Sequence, residues 1–381
     1  MDLKQLHREY GQSVWLDYIR RDLLQSGEFA RLVKEDGIRG VTSNPSIFEK
    51  AIAESTDYGS ALERLVKSKD TTASAIYEHL AVEDLQQAAD ILRSVYDESD
   101  RRDGYVSMEV SPYLAHDTRA TIDEATRLWR KVGRDNLMIK VPGTPEGIPA
   151  IWELTSQGIN VNVTLLFSRA ACGRVNEAYM DGLEALATHG GDPARVASVA
   201  SMFVSRLDAL VDPMLEERAL AAPPPAQAHL RGLIGKVAIA NAKLAYQDWK
   251  ELCRSPRWLA LAARGARPQR LLWASTGTKD PRFSDVLYVE SLIGPDTVDT
   301  IPLATLDALR DHGKAQSRLE ENIGDARQVL EALARSDFSI DDLTARLLDD
   351  GVSKFSSAFD ALLASIEKKL QARSAQHGLP A

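Results

Sequence analysis

Hydrophobic and polar positions alternate along this chain in two rhythms. Short apolar runs of strand character fall at 13–19, 38–44, 105–111, 136–144 (around Lys140), 159–167, within 195–207, at 271–275 and at 296–301. Between them the spacing is helical, at 20–36, 45–100, 116–132, 145–157, 168–188 and 212–266, and again from 303 to about 373. A short helix is expected within the first 12 residues. No hairpin signal joins neighbouring strands, so each strand feeds a helix that returns to start the next strand in parallel. Eight such units predict an α/β fold, a (β/α)8 TIM barrel with additional helices in an insertion at 212–266 and at the C-terminal end. An open doubly wound sheet is the alternative, but it usually has fewer strands and gives the polar residues below no common cavity. No break in composition divides the chain, so one domain over 1–381 is expected.

Residues two apart on a strand share a face. On the fifth strand Asn160, Asn162 and Thr164 form one face and Val161, Val163 and Leu165 the other. The same parity sets Ser107 with Glu109, Thr42 with Asn44 and Met138 with Lys140, while Asp17 comes late in the first strand. Barrel interiors are normally filled by bulky aliphatic side chains. If these faces point inward, an aspartate, a glutamate, a lysine, two asparagines and two threonines gather at the carboxyl ends of five strands, where barrel enzymes place their chemistry. Each has an ordinary structural explanation alone, but their coincidence at matched strand ends does not. Lys140, between Ile139 and Val141, is poorly solvated on a buried strand, and poor solvation favours the neutral, nucleophilic amine.

Composition narrows the chemistry further. The chain has 46 Lys and Arg against 55 Asp and Glu, a net charge of −9, and argues against nucleic acid or a membrane surface as partner. An anionic substrate therefore needs a local cationic site. The two cysteines form no framework, the seven histidines include no i, i+4 pair, and neither a phosphate-binding Walker loop nor a GxGxxG follows a strand. A histidine-based metal site is therefore not expected. There is no apolar leader and no apolar run of membrane-spanning length, so a cytoplasmic location is expected.

Seven segments carry a family resemblance: Val14-Trp-Leu-Asp-Tyr18, Gly40-Val-Thr-Ser-Asn-Pro-Ser-Ile-Phe48, Ser107-Met-Glu-Val110, Leu137-Met-Ile-Lys-Val141, Gly158-Ile-Asn-Val-Asn-Val-Thr-Leu-Leu-Phe167, Ser201-Met-Phe-Val-Ser-Arg-Leu-Asp208 and Trp273-Ala-Ser-Thr-Gly-Thr-Lys279. Together they resemble the transaldolases, in their longer bacterial form; the C-terminal helices carry no sharp motif. The resemblance implies transfer of a dihydroxyacetone unit from sedoheptulose 7-phosphate or fructose 6-phosphate to glyceraldehyde 3-phosphate or erythrose 4-phosphate, in the non-oxidative pentose phosphate pathway, with no metal and no organic cofactor expected. Lys140 is then the Schiff-base lysine, Glu109 works through a water held with Thr164, and Asp17 is the general base. Thr42, Asn44, Asn162 and Ser201 would contact the sugar, and Arg206, Ser275 and Lys279 its phosphate. Where shorter members carry an arginine soon after the serine, this chain has Lys279, so a phosphate ligand and an ordinary solvated loop lysine both stay open.

Two other readings remain at this point. A fructose 6-phosphate aldolase on the same barrel would use the same lysine and release free dihydroxyacetone; its known forms are much shorter. A non-catalytic barrel presenting its helices as a binding surface has no use for poorly solvated charges that cost stability. Sugar phosphates are the expected partners, and the subunit is expected as a monomer or homodimer.

Overall fold

A computed structural model describes residues 1–53, 55–66 and 72–377. Eight parallel strands close into a barrel in sequence order: β1 Ser13–Leu16, β2 Gly40–Val41, β3 Tyr105–Glu109, β4 Leu137–Pro142, β5 Val161–Leu166, β6 Ser198–Phe203, β7 Arg270–Ala274 and β8 Val298–Ile301. β8 pairs with β1 from Ser13↔Val298 to Leu16↔Ile301, which completes the ring and excludes the open sheet. The expected TIM barrel with additional helices is therefore the observed fold.

The β6–β7 connection carries helices Ser205–Ala221, Pro224–Arg231, Val237–Cys253 and Pro256–Ala262. Three helices follow β8: Leu303–His312, Ile323–Arg335 and Ile340–His377. The structure interrupts the helical pattern expected from 303 to about 373 at 313–322 and again at 336–339. In the first break the backbone N–H groups of Arg318 and Leu319 both donate to Ile293 O at 3.0 Å, and Leu319 is fully buried against Gly294. A tertiary anchor outcompetes the local helical hydrogen bonds. The helical stretch expected at 45–100 is likewise several pieces, Pro45–Ala53, Gly59–Val66, Ala73–Ile91 and Arg93–Glu98; residues 54 and 67–71 of that expectation, and the tail at 378–381, lie outside the described residues. The helix expected at 20–36 divides at Gly27, whose φ of 84° is left-handed, and ends in a π-helical turn, Leu32–Asp36.

The barrel's amino end is tied by one carboxylate. Asp103, fully buried, accepts from Arg39 Nε (2.7 Å), Arg270 Nη2 (3.0 Å), Ser13 Oγ (2.8 Å) and Trp15 Nε1 (3.3 Å). Burial alone would raise its pKa, but the guanidinium groups of Arg270 and Arg39 outweigh it and hold the carboxyl well below the ordinary range. Beside this knot the Trp15 ring lies where a Cβ on Gly40 would fall, at 2.5 Å, so glycine is required there. Among the described residues no helix is long and apolar enough to cross a membrane.

Candidate active site

Parallel register explains why scattered polar residues meet. Glu109 on β3 is paired with Lys140 on β4, and Lys140 with Asn162 on β5, so three inward side chains stand abreast on adjacent strands. Lys140 Nζ donates to Glu109 Oε2 at 3.3 Å and to Ser43 O at 3.1 Å. Both side chains of that pair are nearly covered, at 5% and 6% exposure.

A cavity of about 360 Å³ opens at the carboxyl end of the strands over this pair. Asp17, Thr42, Asn44, Lys140, Thr164, Ser201, Arg206, Ser275 and Lys279 line it, all of them singled out from the sequence. Asp17 stands one residue past β1, and its Oδ1 accepts from Thr42 Oγ1 at 2.7 Å, which in turn lies 2.7 Å from Thr300 Oγ1. Burial raises the Asp17 pKa above the ordinary carboxylate value, against the opposing pull of Lys140, Thr42 and Arg206. Glu109 behaves alike: burial is the largest influence, Lys140 opposes it, and the carboxyl is pushed up to about 7. Two carboxyl groups with raised pKa beside a lysine are candidates for carrying protons, and Glu109 at about 7 can do so near neutral pH.

Not every expected residue faces the cavity. Asn162 lies behind it, donating Nδ2–H to Ser107 Oγ at 3.0 Å and accepting from Ser201 Oγ at 2.6 Å, so it orients Ser201. Asn160, part of the same polar face, sits at the opposite end of the barrel. Its amide donates to Asp135 O and Leu137 O and accepts from Ala197 N–H, which explains that polar position structurally. Thr164 Oγ1 is buried without a protein partner among the described residues, leaving it available to a ligand. Asn44 Oδ1 accepts from Ile47 N–H at 3.0 Å and so fixes the start of the Pro45–Ala53 helix.

The cationic side of the cavity centres on Arg206. Its guanidinium lies 4.8 Å from the Phe203 ring centroid and 5.9 Å from that of Phe355, with no hydrogen bond to a protein group among the described residues. Burial lowers its pKa, while Asp17 and Glu109 work the other way. Its forked donors stay free for an anion, and Ser275, exposed Lys279 and exposed Lys50 line the same cavity. Ser46, Lys50, Thr300 and Phe355 were missed from the sequence. Lys50 is one helical turn past Ser46, a signal that could have found it once the Pro45 helix was placed at the mouth.

Residues 14–366 match the family described as Transaldolase/Fructose-6-phosphate aldolase. The chain belongs to that family. It is 50% identical over 356 residues to a transaldolase of Thiobacillus denitrificans, covering 93% of this chain and 97% of that protein. It is 48% identical over 368 residues to Transaldolase 2 of Nostoc sp., covering 96% of each. The transaldolase of Neisseria meningitidis is 43% identical over 356 residues, at 93% and 97% coverage. The family match extends past all eight strands and into the helix that supplies Phe355.

Proposed function

We propose that this protein is a transaldolase, transferring a dihydroxyacetone unit from sedoheptulose 7-phosphate or fructose 6-phosphate to glyceraldehyde 3-phosphate or erythrose 4-phosphate in the non-oxidative pentose phosphate pathway. The observation that carries the reading is the buried Lys140–Glu109 contact beside Asp17, under a cavity with an unpaired arginine, in a chain whose near-full-length relatives are named transaldolase. Lys140 attacks the donor carbonyl, and loss of water leaves a protonated Schiff base that accepts the electrons of the breaking carbon–carbon bond. Glu109, with a pKa of about 7, donates the proton for that dehydration through a water shared with Thr164. Asp17 removes the hydroxyl proton at the cleaved carbon and returns it when the acceptor aldehyde adds.

Arg206, Ser275 and Lys279 hold the phosphate, while Asn44 and the Asn162–Ser201 pair fix the hydroxyls of the retained fragment. The test is reduction with borohydride in the presence of fructose 6-phosphate, followed by peptide mapping, with Lys140→Met alongside. A dihydroxyacetone-sized adduct confined to the Lys140 peptide, plus sedoheptulose 7-phosphate on addition of erythrose 4-phosphate, is the expected result. An adduct followed only by free dihydroxyacetone would assign the aldolase reaction, and no adduct at all would remove the Schiff base.

A further inference from the structure

The helix Ile340–His377 had no assigned role from its sequence, yet its Phe355 lines the cavity. The ring is 5% exposed and stands 5.7 Å from Lys140 Nζ and 5.9 Å from Arg206 Cζ, measured to its centroid. A large apolar group thus stands within 6 Å of both the amine and the guanidinium. Cations tolerate an aromatic face, so covering both groups this way costs less than covering them with an aliphatic chain.

The helix is held in place on both sides of this ring. One turn before it, Gly351 meets Leu165 so closely that a Cβ would fall 2.9 Å from Leu165 Cδ2. Leu165 directly follows Thr164 and has a left-handed φ of 58°, a strained conformation for a branched residue. β5 also shifts register there. One turn after the ring, Phe359 packs edge-on against Tyr77 and Tyr113, each 5.5 Å away, and Tyr113 OH donates to Asp360. Further on, Leu362 and Ile366 are fully buried, and Lys369 Nζ donates to Ile52 O and Ser55 O. The close approach of Gly351 to Leu165 on one side and the packing of Phe359 on the other hold the ring 5.7 Å from Lys140 Nζ.

We propose that Phe355 is the roof that keeps bulk water from the Lys140-bound fragment and thereby commits the enzyme to transfer over release. The proposal rests on the Schiff-base reading above. Release requires the enamine carbon to gain a proton, water to add at the resulting iminium carbon, and the carbon–nitrogen bond to break, giving free dihydroxyacetone and the Lys140 amine. Transfer requires the same enamine carbon to attack an aldehyde instead. Bulk water above the fragment supplies the competing proton, whereas the hydration and dehydration steps common to both routes need only a water at Thr164 and Glu109.

The test compares wild type, Phe355→Ala and Phe355→Leu with fructose 6-phosphate and a fixed amount of erythrose 4-phosphate, scoring free dihydroxyacetone against sedoheptulose 7-phosphate. A parallel incubation with dihydroxyacetone in D2O counts deuterium incorporated at carbon, which reports protonation of the enamine directly. Phe355→Ala should raise the release-to-transfer ratio and the deuterium rate by about tenfold or more, and Phe355→Leu should return both most of the way by restoring apolar bulk. An alanine variant that still gives the borohydride adduct but has an unchanged ratio and deuterium rate overturns the roof. So does a leucine variant as leaky as alanine. Absence of the adduct in wild type instead defeats the Schiff-base reading itself.

Discussion

Replacing Glu109 by glutamine should impair the chemistry and steady the fold at once, with pH dependences that can be worked out beforehand. In the unfolded chain the carboxyl ionises near its ordinary 4.5; in the folded protein burial moves this to about 7 in spite of Lys140. At acid pH both states hold the proton and the residue is neutral in either. Between the two values the unfolded state ionises first, so stability falls as pH rises, and above 7 the deficit is complete. At about 1.4 kcal/mol for each tenfold change in ionisation, the deficit is on the order of 3 kcal/mol. Glutamine does not titrate, but it leaves Lys140 with only Asp17 and the Ser43 carbonyl nearby, so a net gain of about 1–2 kcal/mol at pH 8.5 is expected, shrinking to little at pH 5. Urea titrations followed by tryptophan fluorescence measure this difference. In the coupled transfer assay kcat should drop by about 100- to 10,000-fold, the loss being largest below pH 7, where the wild-type carboxyl is the proton donor. The reasoning is refuted if wild-type and variant midpoints run parallel from pH 5 to 9, or if the variant retains more than about a tenth of wild-type kcat.

Other perturbations separate the remaining parts of the site and the fold. Asp17→Asn should still form the borohydride-trapped adduct with dihydroxyacetone while cleavage of fructose 6-phosphate slows by about 100-fold or more, measured as glyceraldehyde 3-phosphate release. Arg206→Ala should raise KM for phosphorylated substrates by roughly 30-fold or more and leave turnover of unphosphorylated fructose nearly unchanged, because the lost bonds are charge-assisted. Asp103→Ala should destabilise the protein by about 3–5 kcal/mol in urea unfolding at pH 7, since Arg39 and Arg270 lose their shared counter-charge. The depressed pKa of that carboxyl makes its contribution complete above its unfolded value and lost as pH falls through the folded one, so the mutant and wild type should converge only in strong acid. Gly40→Ala should cost about 1–3 kcal/mol, because its methyl meets the Trp15 ring, and a thermal melt reads it.

How far the sequence carried this picture depended on the range over which each feature is encoded. Strand parity is a two-residue property, and it sufficed to bring Lys140 and Thr164 to one cavity and Glu109 against Lys140. It could not distinguish heights within the barrel, and so Asn160 looked equivalent to Asn162 although it bonds backbone groups at the far end. The Asp103 knot joins Ser13, Trp15, Arg39 and Arg270, residues up to 257 positions apart, which only closure of the ring brings together. Helical periodicity overran 313–322 because the Ile293 carbonyl that holds that segment is not local to it. Phe355 was invisible for the same reason: its helix gives an amphipathic stripe, but the stripe does not say which turn crosses the cavity.

The order in which the ribosome delivers this chain gives that helix another meaning. All eight strands, and with them Asp17, Glu109, Lys140 and Arg206, are made by the time Ile301 is added, while the segment bearing Phe355 is still to be made. A nascent barrel that closes early therefore holds Lys140 without the Phe355 ring beside it. If Phe355 roofs the Lys140-bound fragment as proposed, such a barrel would capture ketose phosphate and let the three-carbon fragment go as free dihydroxyacetone. The same holds for a mature molecule nicked by a protease ahead of Ile340 once the helix detaches. On that proposal, translation of the final long helix would also be the step that turns release into transfer.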